Sequence, residues 1–249
     1  MRAIIIAAGS GKRISEAIKD LPKSLVNVNG RPIIDYQIAA LKKIGISDTV
    51  IITGPHGDKF NLTDVRYVKD QNYDEHDILG SLMEAREFIK NDVLILYSDI
   101  IFDVDVIRQV LATSGDIVIA VDMNWERAYA GRTEHPKSEA ENILLDSANA
   151  IIKIRKNIND GDDTVGEFLG IIRLSPTGSE IFVKKYDELI NNHQGKFQQA
   201  PSVPKAYLTD MIQELIDSNI EVKPAFISSK WCEIDTMQDL KNAEKLFND

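Results

Sequence analysis

The sequence is poor in cysteine: Cys232 stands alone in 249 residues. A lone thiol excludes an internal disulfide and a Cys-based zinc site, and it points to a reducing, cytoplasmic compartment. A catalytic thiol competes here with the plainer reading of a small apolar residue. Long apolar runs are also lacking. Nothing approaches the ~20 residues needed to cross a bilayer, so no membrane partner is expected. The apolar run 4–8 is too short for a signal-peptide core and is followed at once by charge, so it reads as a buried strand. Positive charge is in deficit, with 29 Lys and Arg against 39 Asp and Glu and a net charge of −10. That balance excludes non-specific binding to nucleic acid or anionic membrane. A small anion remains an option where the charge is locally reversed, and residues 2–23 carry five Lys/Arg against two Asp/Glu.

Hydrophobic periodicity alternates between strand and helix. Apolar runs predict strands over 4–8, 49–53, 65–68, 93–97, 117–121, 151–154, 168–174 and 222–226. Helical spacing predicts helices over 32–44, 79–89, 104–111, 177–190, 206–216 and 237–247. Such alternation implies an α/β fold with a mostly parallel sheet covered on both faces. Two stretches break the pattern. Residues 122–149 are polar and irregular, and irregular segments of that length in compact domains usually carry function. Residues 193–204 are polar with two prolines and read as a mobile loop. No internal repeat, low-complexity tract or clear linker divides the chain.

The first predicted strand runs into Ala7-Ala8-Gly9-Ser10-Gly11-Lys12-Arg13. A Gly pair lets backbone N–H groups turn toward an anion, and two cations stand beside it. It is not a Walker loop, because Ile6 and Arg13 occupy the positions that need Gly and Ser/Thr. It is not a dinucleotide fingerprint either, since Ile14 replaces the third Gly. A tight turn alone would explain the glycines. Pro22-Lys23 then presents a second ammonium rigidly, a short distance on. Together, Gly9-Ser10-Gly11-Lys12-Arg13 and Pro22-Lys23 resemble the signature of the nucleotidyltransferases that activate sugar phosphates, phosphocholine and phosphonates.

That resemblance implies a Rossmann-like, mostly parallel mixed sheet with helices on both faces and a small acceptor-binding lobe. The 249 residues would form one domain, with 1–121 mainly nucleotide-binding, 122–235 mainly acceptor-binding and 236–249 a terminal helix. It implies that Ala8, Gly9, Ser10, Gly11 and Lys12 wrap the triphosphate, and that Lys23 and Arg13 act in catalysis, Lys23 at the α-phosphate. The chemistry agrees, because phosphoryl-type transfer needs positioning and charge stabilisation more than covalent help. The expected partners are CTP or another nucleoside triphosphate and a small phosphonate or phosphate ester; a homodimer is left open.

Asp99 ends the apolar run Val93-Leu94-Ile95-Leu96-Tyr97-Ser98. A carboxylate at the carboxyl end of a buried parallel strand faces the ligand crevice of an open α/β sheet. A helix cap is the plainer role, and Asp103 suits that better. Asp235 precedes Thr236-x-x-Asp239, which looks like a capping box, so capping is its plain reading. The resemblance implies instead that Asp99 and Asp235 hold Mg2+. By the same resemblance Asn72, Asp77 and Ser81 read the base, with helix capping an equally good account of Asp77. The segments around Trp125, Tyr129-Ala130-Gly131-Arg132 and Gly166-Glu167-Phe168 resemble the phosphonate cytidylyltransferases associated with phosphoenolpyruvate mutase. Arg132 and Lys153 suit an anionic phosphonate. Trp125, Tyr129 and Glu167 suit an ammonium group, with packing onto the sheet as the alternative for the two aromatics. The expected reaction is transfer of CMP from CTP to 2-aminoethylphosphonate or 2-hydroxyethylphosphonate. Rival readings are a phosphocholine or sugar-phosphate enzyme and a catalytically silent nucleotide-sensing subunit.

Overall fold

The computed structural model describes residues 1–9, 21–158 and 164–248. Its strands are β1 (Arg2–Ala7), β2 (Asn27–Val28), β3 (Arg31–Pro32), β4 (Asp48–Thr53), β5 (Arg66–Lys69), β6 (Val93–Tyr97), β7 (Ile100–Phe102), β8 (Ile117–Asp122), β9 (Glu141–Leu145), β10 (Ile151–Lys156), β11 (Val165–Leu174), β12 (Lys223–Phe226) and β13 (Trp231–Glu233). Its α-helices are α1 (Ile33–Lys43), α2 (Ile78–Met83), α3 (Val104–Ala112), α4 (Pro176–Asn192), α5 (Leu208–Asp217) and α6 (Met237–Leu246).

β1 lies between β6 and β4, and β5 follows, all parallel. β11 runs antiparallel beside β6 and pairs with β8 and β9 as well. β8 carries β12, and β9 carries β10. The strand period of two sorts the core. Ile4 and Ile6 of β1 join Leu79 and Leu82 of α2, Phe182 of α4 and Met211 of α5 on one face. Ala3 and Ile5 join Ile34 and Leu41 of α1 and Val106 and Ile107 of α3 on the other. The mixed, doubly covered sheet expected from the sequence is therefore present. Parallel strand ends on one side put Ala8, Asp70 and Asp99 along a single edge.

The long strand β11 changes partners part-way. Val165–Glu167 pair with β9 and Ile171–Leu174 with β6, with a register break between Phe168 and Ile172 against β8. Gly170 sits at that break with φ +66°, and a Cβ there would lie 2.3 Å from the Tyr97 ring. Both the backbone angle and the contact demand glycine. Gly170→Ala is expected to cost roughly 2–4 kcal/mol of stability, combining a left-handed Ala with an overpacked contact. Urea denaturation measures it, and an unchanged midpoint would refute this account of the bend.

Three expectations are corrected. The helix expected over 79–89 ends at Met83, after which the Glu84 and Ala85 N–H groups bond to Ser81 and Leu82 and the chain tightens into a 3-10 turn at Arg86–Phe88. Residues 193–204 are anchored and not wholly solvent-facing: Phe197 and Val203 are buried in the core with α5 residues, and Phe197 and Ala200 exchange backbone hydrogen bonds. The irregular stretch 122–149 holds a strand, β9, whose five residues lack alternation.

Candidate active site

Asp99 and Asp235 are far apart in sequence and meet because two three-residue strands pair. β13 runs against β7, with Glu233 opposite Ile100, and the Ile234 N–H donates to the Asp99 carbonyl at 2.8 Å. Gln37, buried in the apolar stripe of α1, secures the same turn. Its amide donates to the Tyr97 and Ile100 carbonyls at 2.8 and 2.9 Å. On the other side Thr236 caps α6 in a capping box with Asp239. Asp239 accepts from the Asp235 and Thr236 N–H groups, so Asp235 itself does not cap and its carboxylate faces away.

Lys23 opens a single 3-10 turn after Pro22 and reaches both carboxylates. Its ammonium lies 3.2 Å from Asp99 Oδ2 and contacts Asp235 Oδ1. The second Asp235 oxygen, Oδ2, lies 3.0 Å from His135 Nδ1. Burial, and then the Arg132 charge, push the His135 imidazole down to about 4. Two carboxylates meeting at one cation form a donor set that suits a hard divalent ion, and Glu233 and His135 stand close enough to Asp235 to extend it.

This trio stands where two cavities meet. The larger, about 660 Å³, is lined by Ala8, Gly9, Lys23, Asp77, Ser81 and Asp99, among others. It brings together the described part of the glycine loop, the lysine and two of the three base-reading candidates. Asp77 occupies the N-cap position of α2 without a side-chain cap bond, and burial raises its carboxyl. Asn72 does not join this lining; it is exposed, and its N–H donates to Asp70. The floor under the base region is Asp70, fully buried, which accepts from Ser81 Oγ at 2.7 Å and meets His76 Nδ1 at 3.0 Å. Asp70 follows a parallel strand just as Asp99 does, so the strand-end rule that found Asp99 had the power to find it. Ser10, Gly11, Lys12 and Arg13 lie outside the described residues.

The smaller cavity, about 90 Å³, opens on the other side of Asp99. Tyr129 and Glu167 line it, and the Tyr129 hydroxyl donates to Glu167 Oε1 at 2.5 Å. Glu141, Lys156, Tyr207 and Glu233 line it too and escaped sequence reasoning. Burial pushes the Glu141 carboxyl up to about 8 and the Glu167 carboxyl well above its usual range. Three acceptor-site candidates lie outside this lining. Trp125 lies outside the lining, buried against Tyr129 with its indole N–H donated to the Val165 carbonyl, so packing explains it. Arg132 is buried and already committed, with Nε 2.7 Å from Asp239 Oδ1 and its guanidinium over the Tyr129 ring. Lys153, on the outer strand β10, borders a separate surface cleft with Gln213 and Asp217. The lysine that reaches the cavity is Lys156, three residues along the same strand.

Residues 3–169 match the family model of the MobA-like NTP transferase domain. The chain belongs to this family. As a nucleotidyltransferase it is 28% identical to the CTP:phosphoglutamine cytidylyltransferase of Campylobacter jejuni, across 97% of this chain and 98% of that one. It is 38% identical to the choline-phosphate cytidylyltransferase of Streptococcus pneumoniae over 38% of its length and 43% of the relative's. Among solved structures, the inositol-1-phosphate CTP transferase from T. maritima superposes with a TM-score of 0.76 at 18% identity, covering 99% of this chain and 94% of that one. At that identity the match speaks for the fold. Among the described residues no helix is long and apolar enough to cross a membrane.

Proposed function

We propose that the protein transfers CMP from CTP to a small acceptor bearing a phosphate or phosphonate group, releasing pyrophosphate. The observation that carries this reading is the convergence of Asp99, Asp235 and Lys23 at the junction of a nucleotide-sized cavity and a smaller one. The cytidylyl-transfer names of the two curated relatives support CTP as the donor.

In this reading CTP lies in the larger cavity, with the glycine loop along its phosphates and its base toward Asp77 and Ser81. Asp99 and Asp235 would hold Mg2+, which would supply neutralisation of the phosphate charge. Lys23 leaves its carboxylate contacts for the α-phosphate and stabilises charge there. An acceptor oxygen, ionised at neutral pH, forms the new bond to the α-phosphorus as the bond to the pyrophosphate oxygen breaks. No general base is required. In this reading the acceptor is 2-aminoethylphosphonate or 2-hydroxyethylphosphonate, and phosphocholine is the main rival.

Pyrophosphate release, followed with each of the four nucleoside triphosphates and a panel of small phosphonates, phosphocholine and sugar phosphates, tests the reading. The expected outcome is Mg2+-dependent release with CTP and at least one small acceptor. Release with another nucleotide in preference to CTP would replace the donor assignment, and silence with all of them would refute the activity.

A further inference from the structure

The smaller cavity is lined by more carboxyl groups than its own cations pair with. Six carboxylates line it: Asp99, Glu139, Glu141, Glu167, Glu233 and Asp235. Lys23 meets Asp99 and Asp235, Lys156 meets Glu139 at 3.0 Å, and Arg132 approaches Glu233 at 3.7 Å. Among the described residues Glu141 and Glu167 have no ion-pair partner; each receives one phenol hydroxyl, from Tyr97 and Tyr129. Glu167 is only 4% exposed, and its Oε2 is buried without a hydrogen-bond partner among the described residues. His135, 6% exposed and also lining the cavity, spends Nδ1 on Asp235 and leaves Nε2 unpartnered. Buried carboxylate oxygens without partners are costly, and a ligand that brings positive charge together with N–H donors would remove that cost.

We propose that the acceptor carries a primary ammonium group and that Glu167, with Glu141, receives it. This rests on reading the smaller cavity as the acceptor site. A quaternary ammonium brings charge but no N–H, and it leaves Glu167 Oε2 as lonely as before. A hydroxyl brings a donor but no charge. The aromatic residues point the same way. One face of Tyr129 already carries the Arg132 guanidinium at 4.5 Å, and Tyr207 carries the Lys156 ammonium at 5.2 Å. These two rings are thus already engaged by cations of the protein's own. A cation in the cavity they share would also favour the charged form of both carboxyls, against the burial that holds them toward neutral.

Two matched pairs isolate the chemistry: phosphoethanolamine against phosphocholine, and 2-aminoethylphosphonate against 2-hydroxyethylphosphonate. Each is titrated calorimetrically into the protein with Mg2+ and CMP present, and each is assayed for CTP-dependent pyrophosphate release. The primary amine of each pair is expected to bind and turn over roughly 10²-fold better, because the alternative leaves a buried acceptor unpaired. Glu167→Gln, which keeps the shape and removes the charge, is expected to shrink that gap to about tenfold or less while CTP binding stays intact; Glu141→Gln is the second variant if the first does not fold. Equal or better performance by phosphocholine or the hydroxyethyl compound overturns the proposal, as does the failure of both amines to bind. CTP titrated alone separates the two ideas: its failure to bind sinks the nucleotidyl reading, while the amine comparison still decides this one.

Discussion

Asp235→Asn lowers turnover by roughly 10²–10³-fold or more, the loss expected when a preorganised group that manages transition-state charge is removed. The substitution keeps the volume of a residue that is 6% exposed, so the fold should survive it. What it removes is the negative charge that faces Lys23 on one oxygen and His135 on the other. Asp99→Asn is expected to behave alike, because its Oδ2 shares the same ammonium. Two readouts separate a cation-holding role from a merely structural one. The Mg2+ concentration for half-maximal rate should rise in both variants, and the thermal midpoint should move little. Lys23→Ala gives the contrasting pattern: turnover falls by a similar factor, but the two carboxylates lose their shared cation. Its thermal midpoint should therefore drop in EDTA and recover when Mg2+ is added. Full turnover in Asp235→Asn, or a Lys23→Ala protein indifferent to Mg2+, would take the centre away from these residues.

The sequence revealed the sheet because buried parallel strands announce themselves. Val93–Tyr97 and Ala3–Ala7 are continuous apolar runs, and continuity is what burial on both faces requires. The same logic located Asp99. The pairing of β7 with β13 stayed hidden because three residues cannot show a period, yet that pairing is what brings Asp235 to Asp99. Residue type proved a weaker guide in the irregular stretch. Arg132 and Lys153 have the right charge for a phosphonate, but charge does not say which way a side chain points. Arg132 turns inward to a capping aspartate, and Lys153 belongs to a different cleft from Lys156. Gln37 did carry a signal: it occupies the buried stripe between Ile34 and Leu41, where an amide belongs only if it has backbone to hold.

Arg132→Met should destabilise the protein by about 3–5 kcal/mol, the usual consequence of stripping one partner from a buried ion pair. The side chains of Arg132 and Asp239 are both almost wholly buried, and they approach to 2.7 Å. The methionine stays apolar and fills much of the volume, so the cost falls on Asp239, a carboxylate left in the interior without its cation. Asp239 also holds the capping box of α6 and accepts from the Asp235 N–H at 3.2 Å. The damage should therefore reach the catalytic centre through the backbone. Urea denaturation is expected to show the lowered midpoint, and kcat should fall even at temperatures where the variant stays folded. Arg132→Lys separates charge from shape: it keeps the cation but loses the planar guanidinium that lies over Tyr129, and it should fall between wild type and Arg132→Met. Pairing Arg132→Met with Asp239→Asn removes the stranded charge, since the amide can still accept from the Thr236 N–H. If the double variant is no more stable than Arg132→Met alone, the buried charge is not what makes the single change costly, and the link from Arg132 through Asp239 to Asp235 loses its physical basis.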